Sequence, residues 1–152
     1  MKNKKLQIAH LEKKIELFKE AGNVPTPKIG WIKTIRTTLG MSLEQLGEKL
    51  GIYKSSVARM EGREANGAIT INKMEEAGKA MRMKFVYGFV PVDGSINELI
   101  EKRAKSLATE IVMRTSRNME LEDQENTPER IRKAIEERTQ EIMREMPKKL
   151  WD

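Results

Sequence analysis

Residues 42–62 read S-L-E-Q-L-G-E-K-L-G-I-Y-K-S-S-V-A-R-M-E-G, and the stretch predicts two short helices joined by a tight turn. Ser42 can cap the first helix, and Gln45 three residues later completes a capping box. Leu43, Leu46 and Leu50 then recur on one helical face. Gly51 follows the last apolar residue, where a glycine can take the left-handed conformation that ends a helix. In the second helix Ile52, Val57 and Met60 face inward, while Lys54, Ser55, Ser56 and Arg59 stay outside. Two helices, a short turn with glycine and a small, basic outer face describe a helix-turn-helix, so the expectation is a protein that binds duplex DNA.

The rest of the chain is consistent with a polyanionic partner. Its 152 residues carry a formal charge of +6. Residues 1–29 hold seven Lys against three Glu, and residues 30–92 hold ten basic against six acidic residues. Residues 93–152 reverse the balance, with twelve basic and fourteen acidic residues. The positive excess therefore surrounds the helix-turn-helix, and the last third has the mixed charge of solvated or partner-facing helices. The absence of cysteine excludes disulfides and thiolate metal sites and is compatible with a cytoplasmic protein. No apolar run approaches the ~20 residues of a membrane span, and the Lys-rich start lacks the apolar core of a signal peptide.

Outward from the central stretch, four regions are expected. Residues 1–28 comprise an amphipathic helix over 3–20 and a Pro-rich linker; Ile8, Leu11, Ile15 and Phe18 form the stripe, which must be covered by something. Residues 29–82 form the DNA-binding domain: a helix over 30–39 with Trp31, Ile32, Ile35 and Leu39 buried, the helix-turn-helix, and a helix over 71–81 capped by Thr70. Residues 83–92 carry a β-rich segment in which Phe85, Val86, Tyr87 and Phe89 mark a strand ended by Pro91. A lone strand leaves its backbone unpaired, so its expected partner is the same strand of a second copy, in a homodimer. Residues 93–152 form a helical partner-binding region: one helix from Ser95 to about Glu122, a turn at Asn126, and a second helix over 128–146 with Thr127 as cap and Pro128 at its first position. The chain closes on Leu150-Trp151-Asp152, with the terminal aromatic expected to dock. The fold class is thus mainly α, a five-helix core with one β-strand and flanking N- and C-terminal helices.

Groove geometry assigns the contacts. The first turn of a recognition helix enters the major groove, which selects Lys54, Ser55 and Ser56, with Arg59 one turn further, for base readout. Ser42 and the backbone N–H groups at the start of its helix suit a phosphate, and Arg63 and Lys33 are further backbone candidates. Catalysis is not expected: His10 is the only histidine and has no evident acid–base partner, and the carboxylates are spaced for salt bridges along helices. No Gly-rich phosphate loop or ligand cluster stands out, so neither a metal nor a cofactor is expected.

The stretch from about residue 31 to residue 81 resembles the helix-turn-helix of the Cro and phage-repressor (XRE-type) family, whose fold is lambda-repressor-like. Arg36 and Glu61 match two positions that form a structural ion pair there, which implies that Arg36 belongs to the core and not to the DNA contact. Two departures stand out: Tyr53 where the family usually has a Ser or Thr cap, which makes Tyr53 a candidate for sugar-phosphate contact, and Leu43 where many relatives carry a DNA-contacting Gln, a contact that is lost here or shifted to Gln45. The runs E-G-R-E-A-N-G-A-I-T-I, K-F-V-Y-G-F-V-P, M-E-L-E-D-Q and the closing L-W-D resemble the family called mobile mystery protein A. Members of that family are typically encoded beside mobile mystery protein B, which carries a Fic domain, the fold that transfers AMP to target proteins.

The resemblance implies an antitoxin that represses its own operon and restrains a Fic-type toxin. Fic-restraining helices resemble Ser/Thr-x-x-x-Glu-Gly/Asn. Ser106 to Glu110 and Ser116 to Glu120 keep that spacing but continue with Ile111 and Leu121, so Ser106, Glu110 and Glu120 are the candidates for toxin inhibition. Two other readings stay open: an inhibitor of the toxin in which the helix-turn-helix serves assembly only, and a transcriptional regulator without a toxin partner.

Overall fold

The structure is a computed structural model that describes residues 2–121 and 127–152. The described residues form seven α-helices: α1 (Lys2–Glu16), α2 (Trp31–Thr38), α3 (Leu43–Leu50), α4 (Lys54–Ala65), α5 (Ile71–Ala80), α6 (Ile96–Leu121) and α7 (Pro128–Glu145). Short 3-10 turns occupy Ala21–Asn23 and Lys148–Trp151. The chain divides into two units, one formed by residues 20–88 and one by the residues up to Lys19 together with residues 89–152.

In the first unit α2 to α5 enclose Ile32, Leu46, Val57, Met60, Ala77 and Met81, with Ile35, Leu43, Leu50, Ile52 and Met74 packed around them. Local chemistry starts and stops these helices. The Ser42 hydroxyl accepts from the Gln45 N–H at 3.0 Å, and the Gln45 side-chain oxygen accepts from the Ser42 N–H at 2.8 Å, so the capping box is complete. Gly51 ends α3 in the left-handed conformation, at φ 69°. Thr70 caps α5 through the Lys73 N–H at 3.2 Å. Gly47 has a role that the periodicity of α3 hides. A Cβ there would stand 2.6 Å from the Ile52 carbonyl oxygen, so only glycine lets the turn pass this close to α3.

The fold differs from expectation in its β content. Among the described residues there is no β-strand, and this unit is built on four helices, not five. Residues 83–90 carry no regular structure. The Met83 N–H donates to the Gly78 carbonyl at 2.7 Å, closing the end of α5. Phe85 and Tyr87 stack with ring centroids 5.6 Å apart, the same-side relation that an alternating pattern encodes. Alternation and aromatic content are local properties, whereas a strand exists only through the ladder it makes with a neighbour. No described segment supplies that ladder, and Val86, Tyr87 and Phe89 stay exposed. The expectation of pairing between subunits through Phe85, Val86, Tyr87 and Phe89 falls with the strand.

The second unit is organised by α6 and α7, which pair as an antiparallel hairpin. Ile100, Ala104, Leu107 and Ala108 from the first half of α6 share one buried cluster with Ile142 near the end of α7 and with Leu150. Ser95 and Glu98 form a reciprocal cap at the start of α6, with bonds of 2.9 and 3.1 Å. The Glu12 carboxylate of α1 accepts from the Ile96 N–H at 3.0 Å, so an acidic group lies on the positive end of α6. Ile8 of α1 packs on the same cluster, whereas Leu11, expected in the covered stripe, is exposed. Thr127 caps α7, with Pro128 in its first turn. The expected turn at Asn126 and helix end at Glu122 lie outside the described residues. At the close of the chain Leu150 is fully buried and Trp151 is half exposed, so the aliphatic residue docks where the aromatic one was expected to.

Candidate nucleic-acid interface

α4 presents two chemically different faces. Val57, Met60 and Glu61 point inward and are buried. Lys54, Ser55 and Arg59 lie exposed on the outer side, and Ser56 is half-buried beside them. Among the described residues Lys54, Arg59 and Arg63 form no ion pair or side-chain hydrogen bond, so their donors remain available to an external acceptor. The same holds for Lys33, exposed on α2. These four residues thus combine positive charge, exposure and lack of an internal partner.

The phosphate candidates at the start of α3 are more constrained. The capping box uses the acceptor lone pair of the Ser42 hydroxyl and the Gln45 side-chain oxygen. The Ser42 O–H and the Gln45 amide N–H groups remain as donors suited to a phosphate oxygen. Tyr53 sits at the cap position of α4 and makes no side-chain cap bond, and the residue is 82% exposed. It borders an open depression of about 550 Å³ lined by Gly47, Glu48, Gly51, Ile52, Tyr53 and Ser56. The Glu48 carboxylate on that wall disfavours a phosphate inside it.

The Arg36 and Glu61 side chains are 9% and 5% exposed. Arg36 Nε lies 2.7 Å and its second terminal nitrogen 3.0 Å from the two Glu61 oxygens, and the remaining nitrogen donates to the Met41 carbonyl at 2.9 Å. The Glu61 hydrogen bond raises the Arg36 guanidinium above its ordinary value, against the opposing effect of burial. Arg36 is therefore a core residue, buried and with each of its three guanidinium nitrogens engaged inside the unit.

A second carboxylate on α4 escaped the sequence reading. Glu64 accepts from the Trp31 N–H at 2.6 Å and from the Ile32 N–H at 2.8 Å, capping α2 from another helix. Two signals point to it in retrospect. α2 begins after Gly30 with no Ser, Thr, Asp or Asn to cap it, and Glu64 follows Val57 by seven and Glu61 by three residues on the inner face of α4.

The candidates for toxin inhibition lie on α6 in the other unit. Ser106, Glu110 and Glu120 are exposed, and Glu110 pairs with Arg114 at 3.1 Å. Ser116, which opens the second Ser-x-x-x-Glu run, is 5% exposed and its hydroxyl is withdrawn from a partner surface. No described helix is long and apolar enough to cross a membrane. Comparison with protein-family models, with curated proteins and with solved structures finds no match.

Proposed function

We propose that this protein is a sequence-specific DNA-binding regulator of the Cro and phage-repressor type, acting in the cytoplasm on duplex operator DNA. The observation that carries the reading is the split character of α4. Its inward carboxylates are consumed by contacts to α2, while the outward Lys54 and Arg59 have no internal partner and stand beside Ser55 and Ser56. Lys54 and Arg59 read guanine edges in the major groove, and Ser55 and Ser56 bond to base edges or phosphate. Lys33, Arg63 and the donors of Ser42, Gln45 and Tyr53 set the register on the backbone. Two copies on one operator would read half-sites ~34 Å apart.

The resemblance to mobile mystery protein A extends the proposal to an antitoxin that represses its own operon and restrains a Fic-type toxin. The exposed face of α6 with Glu110 and Glu120 is the surface offered to that partner. Selection of duplexes from a random pool by the full-length chain tests the DNA-binding half. Arg59→Ala should weaken binding to the selected duplex by about 1–3 kcal/mol and relax selectivity at one base pair. An equal loss on selected and unselected DNA would contradict base readout by Arg59.

A further inference from the structure

We infer that Glu64 is the positioning residue of the recognition helix: it fixes the angle of α4 and thereby the selectivity of the site, without touching DNA. The inference rests on the DNA-binding reading. α4 is tied to α2 at two points. Glu61 grips the Arg36 guanidinium near the end of α2, and Glu64 grips the Trp31 and Ile32 N–H groups at its start. One attachment allows a helix to pivot; two attachments at opposite ends of the neighbouring helix hold its direction.

The local structure is arranged around this second attachment. Gly30 is buried at φ 88° and ψ 159°, a conformation essentially limited to glycine. A Cβ at position 30 would meet the Glu64 carboxylate carbon and oxygen at 2.8 Å. Residue 30 is thus glycine both for its backbone and for the space that the carboxylate fills. α2 has no side-chain cap of its own and no acidic residue in its first turn, whereas α3 and α5 are capped from within their own sequence. The start of α2 depends on the recognition helix, and in return it orients that helix.

The lever is long enough to matter. Lys54 lies seven residues from Glu61, about 10 Å along the axis, so a tilt of about 5° displaces the reading turn by about 1 Å. Bidentate contacts to base edges need placement to about 0.5 Å and 10–20°. Contacts to phosphates by flexible Lys33 and Arg63 tolerate such a shift. Loss of Glu64 should therefore remove selectivity first and general affinity last.

The test measures the full-length chain at one salt concentration on two duplexes of equal length. One is selected by the wild-type protein from a random pool, and the other is unselected. Glu64→Ala should lower the ratio of the two affinities by about tenfold while changing affinity for the unselected duplex less than about twofold. Glu64→Gln, which keeps one acceptor oxygen for the two N–H groups, should fall between Glu64→Ala and wild type, and it decides the matter if Glu64→Ala does not fold. Ala77→Gly, in the buried core on α5, supplies a variant destabilised without touching either tie, and its ratio should match wild type. An unchanged ratio in the Glu64 variants, or an equal drop in Ala77→Gly, overturns the inference and leaves the DNA reading intact. Failure of the wild-type chain to select any sequence sinks the DNA reading itself, and this inference with it.

Discussion

Arg36 and Glu61 are the two charged side chains buried in the unit that carries α4, and their geometry decides what each can do. A buried guanidinium matched to a carboxylate by two hydrogen bonds, with its third nitrogen on the Met41 carbonyl, has compensated its desolvation. Removing one member leaves the other charge buried and unpaired. Arg36→Ala should therefore lower the free energy of unfolding by about 3–5 kcal/mol in urea titration. The double variant Arg36→Met with Glu61→Leu should cost far less than the sum of the two single changes, because no orphan charge remains. A loss below about 1 kcal/mol for Arg36→Ala would mean that the pair is solvated in solution. The raised value of Arg36 fixes the sign of any pH effect on the arginine side. Its stabilising contribution is fully present below the ordinary guanidinium value and fades only as pH rises through the folded one, so no loss is expected from neutral to moderately alkaline pH.

Elements whose ends are decided by near neighbours were legible in the sequence. Ser42 with Gln45, Gly51, Thr70, and Thr127 before Pro128 all act within a few residues, and each occupies its expected position. The lysine, serine and arginine positions on the outer face of α4 follow from the same local period. Elements that depend on distant partners were not legible. Glu64 caps α2 from 33 residues away and Glu12 caps α6 from 84; local spacing turns Glu64 inward but does not name the helix end that it meets. Residues 83–90 differ in the opposite direction: they alternate as a strand does but form none, because a ladder needs a partner that the pattern cannot supply. The closing turn Lys148–Trp151 teaches the same lesson at one residue's resolution, since its twist sends Leu150 into the α6–α7 cluster and leaves Trp151 outside. Arg103 locks that turn, with Nε and a terminal nitrogen 3.0 and 2.6 Å from the Leu150 carbonyl oxygen. Leu150→Ala should cost about 2–5 kcal/mol of stability, as deletion of a fully buried leucine does. Trp151→Ala should cost well under half as much, and the reverse order in urea unfolding would contradict the docking of this turn.

At the scale of the whole chain, charge and structure separate along the same lines. The residues around the helix-turn-helix carry the positive excess, and the last third, built on the α6–α7 hairpin, carries a slight negative one. A protein whose basic side chains meet phosphates releases counterions on binding, and its affinity must then fall with salt. Base-edge contacts by uncharged side chains alone would leave affinity nearly indifferent to salt. The decisive measurement is the affinity of the full-length chain for its selected duplex across a salt series. Lys33 and Arg63 on phosphates predict a slope of log affinity against log salt of about −2 or steeper for each bound chain, at about −0.9 for each phosphate neutralised. A slope near zero, or no binding at low salt, would contradict the account.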